Sequence, residues 1–108
     1  MNPQFFNYKM EPFTRADLEF QRDAYAMSKM REYVDESVKQ IYHSVRKVAV
    51  ERSSYSFYYT VREQTHVDVV TIAERIREEL IELFPDFTIE IGNVNDGYNR
   101  SRYIGVKW

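Results

Sequence analysis

Between Pro12 and Pro85 the chain contains neither glycine nor proline, and all three glycines (Gly92, Gly97 and Gly105) fall in the last 17 of its 108 residues. With no breaker to interrupt it, most of that stretch is free to be helical, except where a different pattern overrides it. The punctuation therefore predicts a helical first two-thirds and a strand-and-turn ending.

The first helix has a defined start. Thr14 is placed as an N-cap, Asp17 three residues on completes a capping box, and Phe13 is positioned to staple against Leu18. Phe20, Ala24, Met27, Met30, Val34, Val38, Ile41, Val45 and Val48 then recur in steps of three and four, a single seam that predicts a helix over 14–50. Such a helix would be roughly 55 Å long, against a diameter of roughly 35 Å for a compact domain of this size. It must overhang its domain, break or pack on something else, and of these a break would fall over 21–28, where the seam is filled by small or weakly packing residues. Residues 1–13 read as an arm.

Tyr55, Phe57, Tyr59 and Val61 alternate with Ser54, Ser56, Tyr58 and Thr60, which predicts a half-buried strand over 54–61. Val69, Ile72, Ala73, Ile76, Leu80 and Leu83 form the stripe of a second helix over 67–84, capped by Thr65 or Asp68 and stopped by Pro85. Strands over 87–94 and 101–108 follow, with Asn95-Asp96-Gly97 as a turn signal between them. The order α-β-α-β-β points to a single two-layer α+β domain over 14–108. Both helices lie on one face of a three-stranded mixed sheet, the second helix acting as the crossover between parallel strands.

The tyrosine-rich strand, the helix ending at Phe84-Pro85-Asp86 and the final Ile104-Gly105-Val106-Lys107-Trp108 together resemble small α/β proteins of tailed phages and large DNA viruses that end in an I-x-V-x-W strand. The resemblance covers about residues 38–108. It implies a viral origin rather than an activity, with the host cytoplasm or the virion as the expected location.

Several classes of function are disfavoured. Without cysteine there is no disulfide framework, thiolate metal site or cysteine nucleophile. No apolar run approaches the roughly 20 residues of a bilayer span, and MNPQFFNYKMEPF lacks the basic start and apolar stretch of a secretory signal. His43 has only Ser44 beside it as a nucleophile, His66-Val67-Asp68 offers two metal ligands at most, and no phosphate-loop, dinucleotide or hydrolase motif is present. We expect no catalytic residues, no metal and no cofactor. A small hydrolase with a composite site between subunits, using both histidines, is the least favoured alternative.

Binding is better represented. Aromatic residues make up 16% of the chain, nine of them tyrosines. Phe5, Phe6 and Tyr8 on the arm and Tyr25, Tyr33 and Tyr42 along the first helix widen a sticky surface that one small sheet cannot cover. The expectation is a non-enzymatic interaction protein that self-associates through the long helix or engages another protein. The alternative is a nucleotide or nucleic-acid binder. Tyr58 and Tyr103 on the open sheet face would stack a base beside Arg102 and Lys107, with Lys39, Arg46 and Lys47 as a phosphate track. Residues 39–62 carry a net charge of +4 and residues 63–91 a net of −6, so the halves also attract each other, and the net of −2 does not favour a polyanion partner.

Overall fold

The computed structural model describes residues 10–63, 67–93 and 101–108, arranged as α1 (Arg15–Glu51), β1 (Ser56–Val61), α2 (Val69–Leu83), β2 (Thr88–Asn93) and β3 (Arg102–Lys107). This is the expected α+β order. The arm residues Phe5, Phe6 and Tyr8, together with His66 and the Asn95–Gly97 turn, lie outside the described residues.

α1 begins on the predicted capping box. The Asp17 N–H donates to Thr14 Oγ1 at 3.1 Å, and the Thr14 N–H donates to Asp17 Oδ2 at 2.9 Å, which satisfies two of the amides every helix start leaves free. The helix then runs unbroken for 37 residues. Of the three alternatives, the overhang is the one observed and no break occurs over 21–28, where nothing disfavours helix locally. The chain leaves α1 through Ser53, whose φ of 52° is left-handed, while the Ser54 N–H closes back onto the Val48 carbonyl at 3.2 Å. α2 is capped by Asp68, which accepts from the Val70 N–H at 3.3 Å.

The sheet order is β1-β3-β2, and both ladders are antiparallel. The expectation of a mixed sheet is corrected here. β1 and β2 do run in the same direction, as the helical crossover requires, but β3 inserts between them, so no two hydrogen-bonded neighbours are parallel. This is a split β-α-β arrangement. Central β3 supplies the fully buried Ile104 and Val106.

Both helices cover one face. Contacts between them advance together, from Arg31 with Glu79 at 3.5 Å to Tyr42 stacked on Phe84 at 5.6 Å, so α1 and α2 run in the same direction. Between helices and sheet lie Val34, Ile41, Val45, Val61, Ile72, Ile76, Leu80, Ile104 and Val106. At one end the rings of Tyr42, Phe84, Phe87 and Trp108 stack in succession, with centroids 4.9–5.6 Å apart.

Along α1 the buried positions are Ala26, Met30, Val34, Ser37, Ile41 and Val45. The seam passes through Ser37 rather than centring on Val38, which is only partly buried. N-terminal to Ala26 every described residue is exposed. The helix therefore overhangs its domain: the extents are 59 × 35 × 23 Å and the radius of gyration is 19.0 Å, against about 13 Å for a compact chain of similar length. Among the described residues no helix is long and apolar enough to cross a membrane.

Candidate functional site

Two surfaces stand out, the projecting half of α1 and the open face of the sheet. Residues 15–25 extend about 16 Å past the body at about 1.5 Å per residue. An isolated helix of that length is marginal in water, and what holds it locally is the capping box and exposed pairs such as Arg15 with Glu19 at 3.4 Å. At 100° per residue, Ala16, Phe20 and Met27 fall on the same side of the cylinder as Val34 and Ile41. The face that is core further along thus continues uncovered into the overhang, where Phe20 is 75% exposed and Met27 61%. Leu18 and Tyr25 point the other way and are exposed too. The charges over 15–25 are mixed, with Arg15 and Arg22 against Asp17, Glu19 and Asp23 for a net of −1.

The three tyrosines assigned to the helix surface have different fates. Tyr25 is exposed, with the Lys29 ammonium 5.6 Å from its ring centroid. Tyr33 is half-buried and accepts the Arg62 N–H at 3.2 Å. Tyr42 belongs to the aromatic stack and carries Arg46 5.7 Å from its ring centroid. Tyr33 and Tyr42 are thus committed inside the fold, which narrows the contact surface on α1 to its N-terminal half.

The open face of the sheet is a grid set by register. Ser56, Lys107 and Thr88 form one row, Tyr58, Gly105 and Glu90 the next, and Thr60, Tyr103 and Gly92 the third. The two glycines are its floor: a Cβ on Gly92 would overlap the Tyr103 ring, and one on Gly105 would press on Tyr58 and Glu90 at 3.1 Å. Tyr103 lies over Gly92 and meets Tyr58 edge-on, with centroids 5.8 Å apart. Lys107 Nζ pairs with Glu90 Oε1 at 3.0 Å, and that carboxylate holds the ammonium above its ordinary pKa. The sequence signal for this floor was the presence of glycine inside strands, which marks close approach of other groups.

Of the residues of the nucleic-acid alternative, Tyr58, Tyr103 and Lys107 share the open face, and the other four do not join them. Arg102 alternates with Tyr103 onto the helix side of the sheet, where its Nη1 donates to the Ser101 carbonyl at 3.2 Å. Lys39, Arg46 and Lys47 are on α1, across the sheet from Tyr58 and Tyr103. Lys39 lines a groove of about 390 Å³ between the helices, beside Asp35, Glu79 and Glu82, so acidic neighbours offset its charge. No basic residue lies in the last turn of α1; Arg52 is the C-cap. His43 is exposed and touches the edge of Tyr42, with centroids 5.5 Å apart. Among the described residues no three histidine or carboxylate side chains come within reach of one metal ion.

Comparison with family models, with curated proteins and with solved structures finds no match for this chain.

Proposed function

We propose that this chain is a small non-enzymatic interaction protein that self-associates by laying the projecting halves of two α1 helices against each other in antiparallel fashion. The observation that carries the reading is the continuation of the core-facing side of α1 into Ala16, Phe20 and Met27, where Phe20 is 75% and Met27 61% exposed, with Asp23 on the same side. Burying Phe20 and Met27 contributes about 1.5–3 kcal/mol per side chain.

A second copy suits this surface on two counts. The projecting half has charges of both signs with a net of only −1, so it meets itself with little net repulsion. Antiparallel pairing also puts the two bodies at opposite ends of the contact, so they do not collide. The I-x-V-x-W ending supports a viral setting, as a virion component or a host-interacting accessory factor. A nucleotide or nucleic-acid binder is less well supported, because Lys39, Arg46, Lys47 and Arg102 lie on the helix side of the sheet, away from Tyr58 and Tyr103, and Lys107, which shares their face, is paired with Glu90.

Light scattering after size exclusion tests the reading. Wild type is expected to elute as a dimer or larger species that dissociates on dilution, and Phe20→Glu together with Met27→Glu should weaken that association. A mass of 13.1 kDa at every concentration contradicts it.

A further inference from the structure

The two edges of the sheet are finished differently. The Trp108 N–H donates to the Tyr55 carbonyl at 3.0 Å, which makes residues 55 and 108 a hydrogen-bonded pair. In an antiparallel ladder such pairs alternate, so the backbone groups of Phe57, Tyr59 and Val61 turn toward β3 and those of Ser56, Tyr58 and Thr60 turn outward. Two peripheral bonds agree with this parity. Arg62, next in the outward set, donates its N–H to the Tyr33 hydroxyl at 3.2 Å. Along β2 the same alternation turns the Ile89 carbonyl outward, and it accepts from Arg77 Nε at 3.0 Å.

The β2 edge is thus capped by an arginine, and the strand itself carries Glu90. Among the described residues no side chain caps the outward groups of Ser56, Tyr58 and Thr60. The surrounding run 53–61, SSYSFYYTV, contains no charge, proline or glycine. Edges of natural sheets are ordinarily blunted by charge, proline, a bulge or a covering element. Among the described residues, β1 uses none of these along 56–60.

We propose that β1 receives the β1 strand of a second copy in antiparallel register about a two-fold axis at Tyr58, joining two three-stranded sheets into one of six strands. An uncharged strand lies beside its own copy without repulsion, and this register uses every outward group. Tyr58 pairs with Tyr58 of the second copy, and Ser56 pairs with Thr60 in both directions, for about six backbone hydrogen bonds. On the open face the Tyr58–Tyr103 contact extends into a row of four rings. On the helix side the half-buried Phe57 and Tyr59 face each other across the junction. Aromatic cross-strand pairs of this kind favour sheet formation. The contact stands independently of the helix contact. With both, each chain has two isologous surfaces, which close into a tetramer or run on as an open chain.

Sedimentation velocity on Phe20→Glu, Tyr58→Lys, Tyr58→Glu and the two combinations tests it. Tyr58 is 54% exposed, so the lysine and glutamate variants should retain the wild-type fold, which circular dichroism and thermal unfolding verify. Phe20→Glu alone is expected to remain a dimer. Adding Tyr58→Lys or Tyr58→Glu places like charges opposite each other and should weaken that dimer roughly tenfold. An equimolar mixture of the lysine and glutamate chains, each in the Phe20→Glu background, should restore it. A monomeric Phe20→Glu chain, an unchanged mass on adding Tyr58→Lys, or a mixture no tighter than either component overturns the proposal. Failure of the helix contact shows separately, as a Phe20→Glu chain that keeps the wild-type mass.

Discussion

The hydroxyls of Ser37 on α1 and Tyr59 on β1 meet at 3.1 Å within the contact between the long helix and the sheet. Ser37 is the buried polar residue of the seam, and its small side chain leaves room for the Tyr59 ring to reach under the helix. Burial pushes the Tyr59 phenol above its ordinary pKa, and the bond to Ser37 offsets part of that shift.

This pair makes stability pH-dependent on the alkaline side. An unfolded tyrosine ionises near about 10, while folded Tyr59 keeps its proton to higher pH. Above the unfolded value the native state holds the extra proton, so stability is fully present below about pH 10 and falls as pH rises through the folded pKa. Tyr59→Phe should cost about 1 kcal/mol at neutral pH through the lost hydrogen bond and make the alkaline fall shallower. Denaturant midpoints from pH 7 to 11 check this; equal slopes in the two proteins contradict it.

Gly92 and Tyr103 are predicted to be coupled. Gly92→Ala should displace the Tyr103 ring, break its contact with Tyr58 and destabilise the fold, whereas the same change in a Tyr103→Ala background should cost far less. A double-mutant cycle is expected to give a coupling of about 0.5–3 kcal/mol, as for residues in direct contact. A coupling near zero would show that the ring does not rest on the glycine.

The capping box is predicted to matter more for the projecting helix than for the core. Thr14→Ala should cost about 0.5–2 kcal/mol of helix stability. Because residues 15–25 are all exposed, the loss should appear as reduced helical circular dichroism and weaker self-association rather than as a lower melting temperature of the body. Hydrogen exchange that is faster throughout the core would contradict this.

Much of the architecture was legible in the chain because its signals are local. The Thr14–Asp17 box is a three-residue relationship, Pro85 stops a helix wherever it falls, and strand alternation correctly assigned Tyr58, Tyr103 and Lys107 to the open face. The misses are relationships that local pattern does not carry. The mixed sheet is one of them: which strand lies at the centre is a tertiary choice, and β3 takes that place between two same-direction strands. Arg102 was grouped with Tyr103 by proximity in sequence, although one residue of offset puts it on the opposite face. Ser37 carries no apolar signal beside Val38, yet it is the seam position that admits Tyr59. The small residues over 21–28 looked like a weak point, but small size removes packing without removing helix propensity, so the helix continues without a body beneath it.

Separation of the cationic and aromatic residues predicts that polyanions are not a strong ligand. Fluorescence anisotropy at low salt with single-stranded oligonucleotides should show no saturable binding. Saturable binding that falls steeply with salt and is lost in Tyr58→Ala would instead favour the nucleic-acid alternative.

The central claim, that projecting halves of α1 pair between copies, is tested most directly by a distance. The chain has no native cysteine, so Gln21→Cys places a single spin label in the middle of the overhang. Packed helices lie about 8–10 Å apart and the projecting halves are about 16 Å long. Pulsed dipolar spectroscopy is therefore predicted to give one intermolecular distance of roughly 10–30 Å, abolished by Phe20→Glu. Dipolar decay no different from that of dilute monomers, or a short distance that persists in Phe20→Glu, would contradict the account.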